Sequence, residues 1–210
     1  MHQLPAGRIT RIEPGRRPGY VRVYVEDRLI GSFAEAVWIS SGLQTGEVVS
    51  PEAWEALQRA EAEHRAITYA LRLLAVRARS EDELRRALLR KQLPASVVSS
   101  VLDRLRAWGY VDDRAFARQW VAERAGRRGL RALAYELQQK GLEPELIRQV
   151  LAEAEDPARE YASALALAKR RWEERLPPQK RRRRIIGLLA RRGFSWEIIE
   201  AVLRALESET

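Results

Sequence analysis

The 210-residue chain contains no cysteine. Disulfides, thiolate metal sites and cysteine nucleophiles are therefore excluded. Histidine is almost as scarce. His2 and His64 are the only two, so a multi-histidine metal centre is excluded as well. No Gly-Lys dipeptide occurs, which removes the phosphate loop of the P-loop enzymes, and no Gly-x-Ser-x-Gly elbow is present. No apolar run approaches the roughly 18 residues of a membrane span. No signal-peptide apolar core follows Met1, so the cytoplasm is the expected address.

What the chain has in abundance is positive charge. Lys and Arg number 38 against 29 Asp and Glu, for a net charge of +9. The excess is uneven. Residues 1–60 carry 7 basic and 7 acidic groups, residues 61–156 carry 18 and 15, and residues 157–210 carry 13 and 7. A basic C-terminal third points to a polyanion or an acidic partner surface. With 46% hydrophobic and 32% charged residues, the composition suits a soluble, ordered, largely helical protein.

The first 50 residues differ from the rest. Ile9–Ile12 and Tyr20–Val25 alternate β-branched or aromatic residues with polar ones, as half-buried strands do. Pro14-Gly15 and Pro18-Gly19 punctuate between them, and Glu26-Asp27-Arg28 reads as a turn into a short strand at Leu29-Ile30-Gly31. Residues 8–31 are expected to form a small antiparallel sheet. Ser50-Pro51-Glu52 reads as an N-cap with Pro at the first helical position, opening a helix over 51–65. Beyond it only helices are expected.

The helical part repeats internally. Leu84, Leu88, Leu93, Val97, Val98, Val101 and Leu102 are matched 49 residues on by Leu133, Leu137, Leu142, Leu146, Ile147, Val150 and Leu151. A further 52 residues on stand Ile185, Leu189, Phe194, Ile198, Ile199, Val202 and Leu203. The spacing is a helix with apolar i and i+4, a break, then a helix with apolar i, i+1, i+4 and i+5. The breaks are Lys91-Gln92-Leu93, Lys140-Gly141-Leu142 and Arg192-Gly193-Phe194, and Gly in two of them fits a helix C-cap. Another helix precedes each unit, near 61–78, 113–126 and 157–175. The expected fold is mainly α: an elongated, curved array of three tandem three-helix repeats after a small N-terminal antiparallel β segment. The expected boundaries are 1–50 for the β extension, 51–112 for a linking helix and the first repeat, 113–156 for the second, and 157–210 for the third.

No catalytic constellation emerges, and neither cofactor nor metal is expected. His64 stands alone among charged neighbours and reads as a surface residue. Asp112-Asp113 could bind a divalent cation, but its place just before Phe116 favours an N-cap and a negative first turn. Trp108, Trp120 and Trp172 fall near apolar helix positions, which favours core packing over stacking on bases. Trp108 and Tyr110 are expected to pack across a joint at Gly109–Asp113.

Basic residues recur at equivalent places. Arg85, Arg86 and Arg90 lie on the middle helix of the first repeat. Arg124, Arg127, Arg128 and Arg131 surround the Gly126–Gly129 loop of the second. In the third, Lys180, Arg181, Arg182, Arg183 and Arg184 open the middle helix, with Arg191 and Arg192 two turns on. Five cations at a helix N-terminus oppose the helix dipole, so helix stability alone does not favour them. A shared electropositive surface is expected.

Three stretches carry a family resemblance. They are Arg79-Ser80-Glu81-Asp82-Glu83-Leu84, then Gly109-Tyr110-Val111-Asp112-Asp113-Arg114-Ala115-Phe116-Ala117, then Arg128-Gly129 with Glu136-Leu137-Gln138-Gln139-Lys140-Gly141-Leu142. In order and spacing they resemble the RecX family of recombinase regulators, most specifically over about 66–155. Gln92 departs from the pattern, where Gly would be common. The resemblance implies that Gly109, Tyr110, Asp112, Asp113, Phe116, Gly129, Glu136, Leu137 and Gly141 are structural motif residues. It also implies a non-enzymatic inhibitor that binds the RecA recombinase along its filament on DNA. Such a protein suppresses ATP hydrolysis, strand exchange and the filament-promoted self-cleavage of the LexA repressor. No membrane and no small-molecule substrate are implied. From the residues alone two other readings stay open: a DNA-binding protein of helix-turn-helix-like units, and a nuclease using Asp112-Asp113 with Mg²⁺.

Overall fold

A computed structural model describes residues 7–208; His2 lies outside the described residues. The chain forms two compact units. One comprises the chain up to Arg77 together with Leu84–Tyr110, and the other comprises Ala78–Glu83 with the chain from Val111 on.

The first unit opens with strands β1 (Gly7–Pro14), β2 (Tyr20–Val25) and β3 (Arg28–Ala34), helix α1 (Glu35–Ser41) and strand β4 (Val48–Val49). They make an antiparallel sheet in the order β3-β2-β1-β4. Alternation drives it: Ile9, Val23, Val25 and Phe33 turn inward and are buried. The β2–β3 turn places Glu26 and Asp27 at φ 45° and 58°, the two left-handed positions of a type I′ hairpin, without glycine. The Asp27 amide donates to Thr10 Oγ1 at 3.0 Å, at the bulge in β1. The third strand is longer than the sequence pattern suggests, and α1 and β4 have no counterpart in that pattern.

Helix α2 (Pro51–Val76) starts as expected, with Ser50 Oγ accepting the Ala53 amide at 3.1 Å. It is one continuous helix, however, where two were expected. Its first half serves the sheet: Trp54 and Leu57 are buried there, and Phe33 meets Trp54 edge-on at 5.7 Å. Buried Glu61 accepts the Ala34 amide at 2.8 Å, capping α1, whose own N-cap Ala34 has no side chain able to do so. The second half of α2 packs on α4 (Ala95–Ala107), where Glu63 meets Arg104 at 3.2 Å. Between them lies α3 (Glu81–Leu89).

The second unit holds α5 (Asp113–Arg124), α6 (Leu130–Gln139) and α7 (Pro144–Glu153), packed around Phe116, Val121, Leu133, Leu137, Ile147 and Val150. Then come α8 (Pro157–Lys169), α9 (Pro178–Arg191) and α10 (Trp196–Ser208), packed around Ile185, Leu189, Phe194, Ile199, Val202 and Leu203. The three-repeat organisation of the helical part is thus seen directly. Of the aligned apolar positions, all are buried except Leu93, Leu146, Leu151 and Ile198, which are half-buried. At the three breaks Gln92, Gly141 and Gly193 adopt the same left-handed conformation, with φ 58°, 78° and 82°.

One expectation fails at Gly109–Asp113. Trp108 and Tyr110 are 50% and 56% exposed, and neither packs across that segment. Trp108 ends α4 as its C-cap, Gly109 reverses the chain at φ 75°, and it is Val111 that turns inward. Trp108 instead carries the Arg104 guanidinium over its ring at 4.9 Å. Buried indoles occur at Trp38 and Trp54, while Trp120 and Trp172 are half-buried.

Candidate functional site

Part of the sequence motifs, Ser80–Glu83 with Asp113, Lys140 and Gly141, gathers at the N-terminus of α3. Ser80 is wholly buried; its hydroxyl accepts the Glu83 amide at 3.2 Å and donates to the Lys140 carbonyl at 2.6 Å. The Glu81 amide donates to Asp113 Oδ1 at 2.8 Å, and the Lys140 ammonium meets Glu83 at 2.7 Å. At Gly141 a Cβ would stand 2.3 Å from the Asp82 carboxylate, so the close approach as well as the positive φ requires glycine. Trp120 ties this joint to α6. Its indole N–H donates to Glu136 at 2.9 Å, with Arg124 stacked 3.4 Å and Lys140 4.8 Å from the ring centroid. Glu136 also holds Arg128 at 3.2 Å.

The Asp112-Asp113 pair is committed to helix ends. Asp112 caps α5, accepting the amides of Arg114 and Ala115 at 2.9 Å each. Burial pushes the Asp113 carboxyl up from its ordinary range. The Glu81 amide opposes that shift, and the charges of Glu81, Asp112 and Asp82 add to it. Among the described residues no three His, Asp or Glu side chains are grouped to hold a metal.

The N-terminus of α6 is built to the same plan with different chemistry. The Gly129 amide donates to the Arg192 carbonyl at 2.8 Å, and the Arg131 amide donates to the Gly193 carbonyl at 3.3 Å. The Leu130 amide donates to Glu160 Oε1 at 3.3 Å. Burial raises the Glu160 carboxyl, as it does Asp113. A Cβ on Gly129 would lie 2.4 Å from the Gly193 carbonyl oxygen, and one on Gly193 2.3 Å from the Ala132 amide nitrogen.

This second joint brings two of the predicted basic groups together. The turn carrying Arg127, Arg128 and Arg131 is stitched to the turn carrying Arg191 and Arg192, and the Arg192 guanidinium reaches the Arg127 carbonyl at 3.5 Å. The run at the start of α9 is partly engaged within its own repeat. Arg182 pairs with Glu207 and Arg184 with Glu173, each at 2.9 Å, and Arg181 lies 4.9 Å over Trp172. Lys180 and Arg183 are exposed. In the first unit Arg85 is half-buried, while Arg86 and Arg90 are exposed. Sequence reasoning passes over Arg171 and Gly187, which lie close to this surface. A glycine inside α9 is the signal that marks Gly187, and no local signal marks Arg171, which the packing of the third repeat brings there.

Among the described residues no helix is long and apolar enough to cross a membrane. Family models described as the first, second and third three-helix domains of RecX match residues 66–105, 112–151 and 158–203. The regulatory protein RecX of Thermobifida fusca is 41% identical over 150 residues, covering 69% of this chain and 80% of that protein. That of Mycolicibacterium smegmatis is 42% identical over 154 residues, covering 69% and 81%. A crystal structure of regulatory protein RecX superposes with a TM-score of 0.74 at 24% identity, covering 93% of this chain and 98% of the other. RecX from Lactobacillus salivarius gives 0.65 at 18% identity, covering 70% and 98%. At those identities the two structures speak for the fold alone.

Proposed function

The chain belongs to the RecX family of regulatory proteins, and from that premise we propose that it binds the filament formed on DNA by the RecA recombinase and inhibits it. Inhibition covers ATP hydrolysis, strand exchange and the filament's coprotease activity, so the protein modulates recombination, DNA repair and the SOS response in the cytoplasm. It acts by binding and carries no catalytic site or cofactor of its own. One observation carries the reading beyond family membership. Basic turns from the second and third repeats are joined through backbone hydrogen bonds, bringing Arg127, Arg131, Arg191 and Arg192 to one joint, with Arg128 beside them on Glu136. Charge gathered at one joint favours encounter with a polyanion such as a nucleoprotein filament. Specificity for RecA comes from protein contacts, because phosphate contacts position a partner without identifying it.

The deciding experiment measures RecA ATPase on single-stranded DNA with substoichiometric amounts of the protein. Strong inhibition is expected. Inhibition only when the protein suffices to coat all the DNA would replace this reading with that of an autonomous DNA-binding protein, which the basic C-terminal third also favours.

A further inference from the structure

Arg184, Leu188 and Arg191 share one face of α9 at i, i+4 and i+7. With Arg171, from the segment after α8, and Arg192, from the turn after α9, they line a pocket of about 220 Å³. No carboxylate lines it. Arg184 pairs with Glu173, which lies outside the lining. Four guanidinium groups around so small a space repel one another. Unlike lysines, they cannot relieve the repulsion by losing protons. Glu173 offsets the charge of Arg184 and the Arg127 carbonyl accepts from Arg192, and an anion seated among the four would relieve the repulsion that remains.

A second observation comes from Gly187, in the interior of α9, where glycine weakens a helix. A Cβ there would stand 3.0 Å from Arg191 Nη1. The space left by the missing side chain admits the tip of the Arg191 guanidinium, the end of a flexible side chain, against its own helix. Helix stability alone does not favour glycine at this position, and the Arg191 side chain is the one group that a Cβ there would meet.

We infer that this pocket seats a backbone phosphate of a nucleic-acid strand. Guanidinium forks match phosphate oxygens with paired, charge-assisted hydrogen bonds. A protein partner would have to converge several carboxylates on so small a space, whereas one phosphate brings its oxygens there as a single group. The inference rests on the proposed function in that Arg184, Arg191 and Arg192 belong to the same surface. It assigns that surface a ligand class and adds Arg171 and Gly187 to it.

The test uses the full chain without RecA. Binding to a short fluorescein-labelled oligothymidylate is measured by anisotropy across a potassium chloride series. The double variant Arg171→Ala/Arg191→Ala is expected to bind roughly tenfold more weakly, with a log–log salt slope shallower by about 0.7 for each phosphate no longer neutralised. Arg204→Ala removes an exposed charge outside the pocket and is expected to bind like the parent. Gly187→Ala separates the site from the fold: its thermal midpoint should hold or rise, while oligonucleotide binding weakens severalfold. Parent-like affinity and slope in the double variant would overturn the inference. So would displacement of the oligonucleotide by micromolar inorganic phosphate, which marks a small-anion site. Loss of DNA-free RecA binding with oligonucleotide binding intact would assign the pocket to an acidic protein surface instead. Intact oligonucleotide binding through the pocket without RecA inhibition would leave this inference standing and remove the proposed function.

Discussion

The joints at the start of α3 and at the start of α6 solve one problem in two ways. In each, the turn after a middle helix seats on the N-terminus of the preceding repeat's middle helix. A carboxylate from the first helix of the later repeat, Asp113 or Glu160, accepts one of the amides left open there. At α3 the rest is done by side chains: the Ser80 hydroxyl bridges Glu83 and Lys140, and Lys140 pairs with Glu83. At α6 the rest is done by main chain, through Gly129 and Gly193 with no side chain between them. Placement is shared and chemistry is not. A helix N-terminus without proline presents the same unmet donors whatever its side chains, and any group bringing an acceptor there can serve.

The glycine joint should be the less forgiving. Gly193→Ala adds a Cβ against backbone that cannot rotate away, at a left-handed φ. The cost expected is about 2–5 kcal/mol, combining the left-handed penalty with overpacking. Urea unfolding checks this, and a midpoint like the parent's would dissolve the distinction between the joints. Next comes Ser80→Ala, which strands the Glu83 amide and the Lys140 carbonyl at a fully buried position. It should cost about 1–3 kcal/mol in the same assay. A loss as large as that of Gly193→Ala would rank the side-chain joint equal to the main-chain one.

The third turn sharpens the contrast. Gln92 holds the left-handed conformation of Gly141 and Gly193, yet it is exposed. Gln92→Gly should therefore stabilise by about 1 kcal/mol, read as a raised thermal midpoint. The smallest effect concerns pH. The Asp113 and Glu160 carboxyls are raised in the folded state, so the folded protein holds their protons more tightly than the unfolded chain does. Their contribution is fully present below the ordinary carboxylate pKa and is lost as pH rises through the raised value. Asp113→Asn and Glu160→Gln should gain stability relative to the parent over that rise. A constant difference from acid to neutral pH, measured by urea unfolding, would show that burial does not control these groups.

Several elements were legible because their signals are local. Asp112 and Ser50 cap the helices they precede, and the aligned leucines, valines and isoleucines of the three repeats fill the helical cores. Helix α1 was not, because its amide is capped by Glu61, distant in sequence. Strand β4 has two residues, too few to show alternation. The exposure of Trp108 was missed because helical spacing does not register the reversal at Gly109. The basic residues could be named, but not which of them would be held by Glu136, Glu173 or Glu207.

By itself, the sequence determined the class of element, the period of the repeat, the helix caps and the surplus of arginine. The elements and caps depend on residues within about two helical turns of one another, the repeat on a pattern that recurs after 49 and then 52 residues, and the arginine surplus on composition. Only the tertiary structure decided that the motif around Ser80, Asp113 and Lys140 is a joint between repeats, and that Arg171 and Arg192 meet Arg184 and Arg191 at one pocket. Those outcomes depend on packing between residues far apart in the chain. Such packing forms only once buried apolar faces have set the helices against one another.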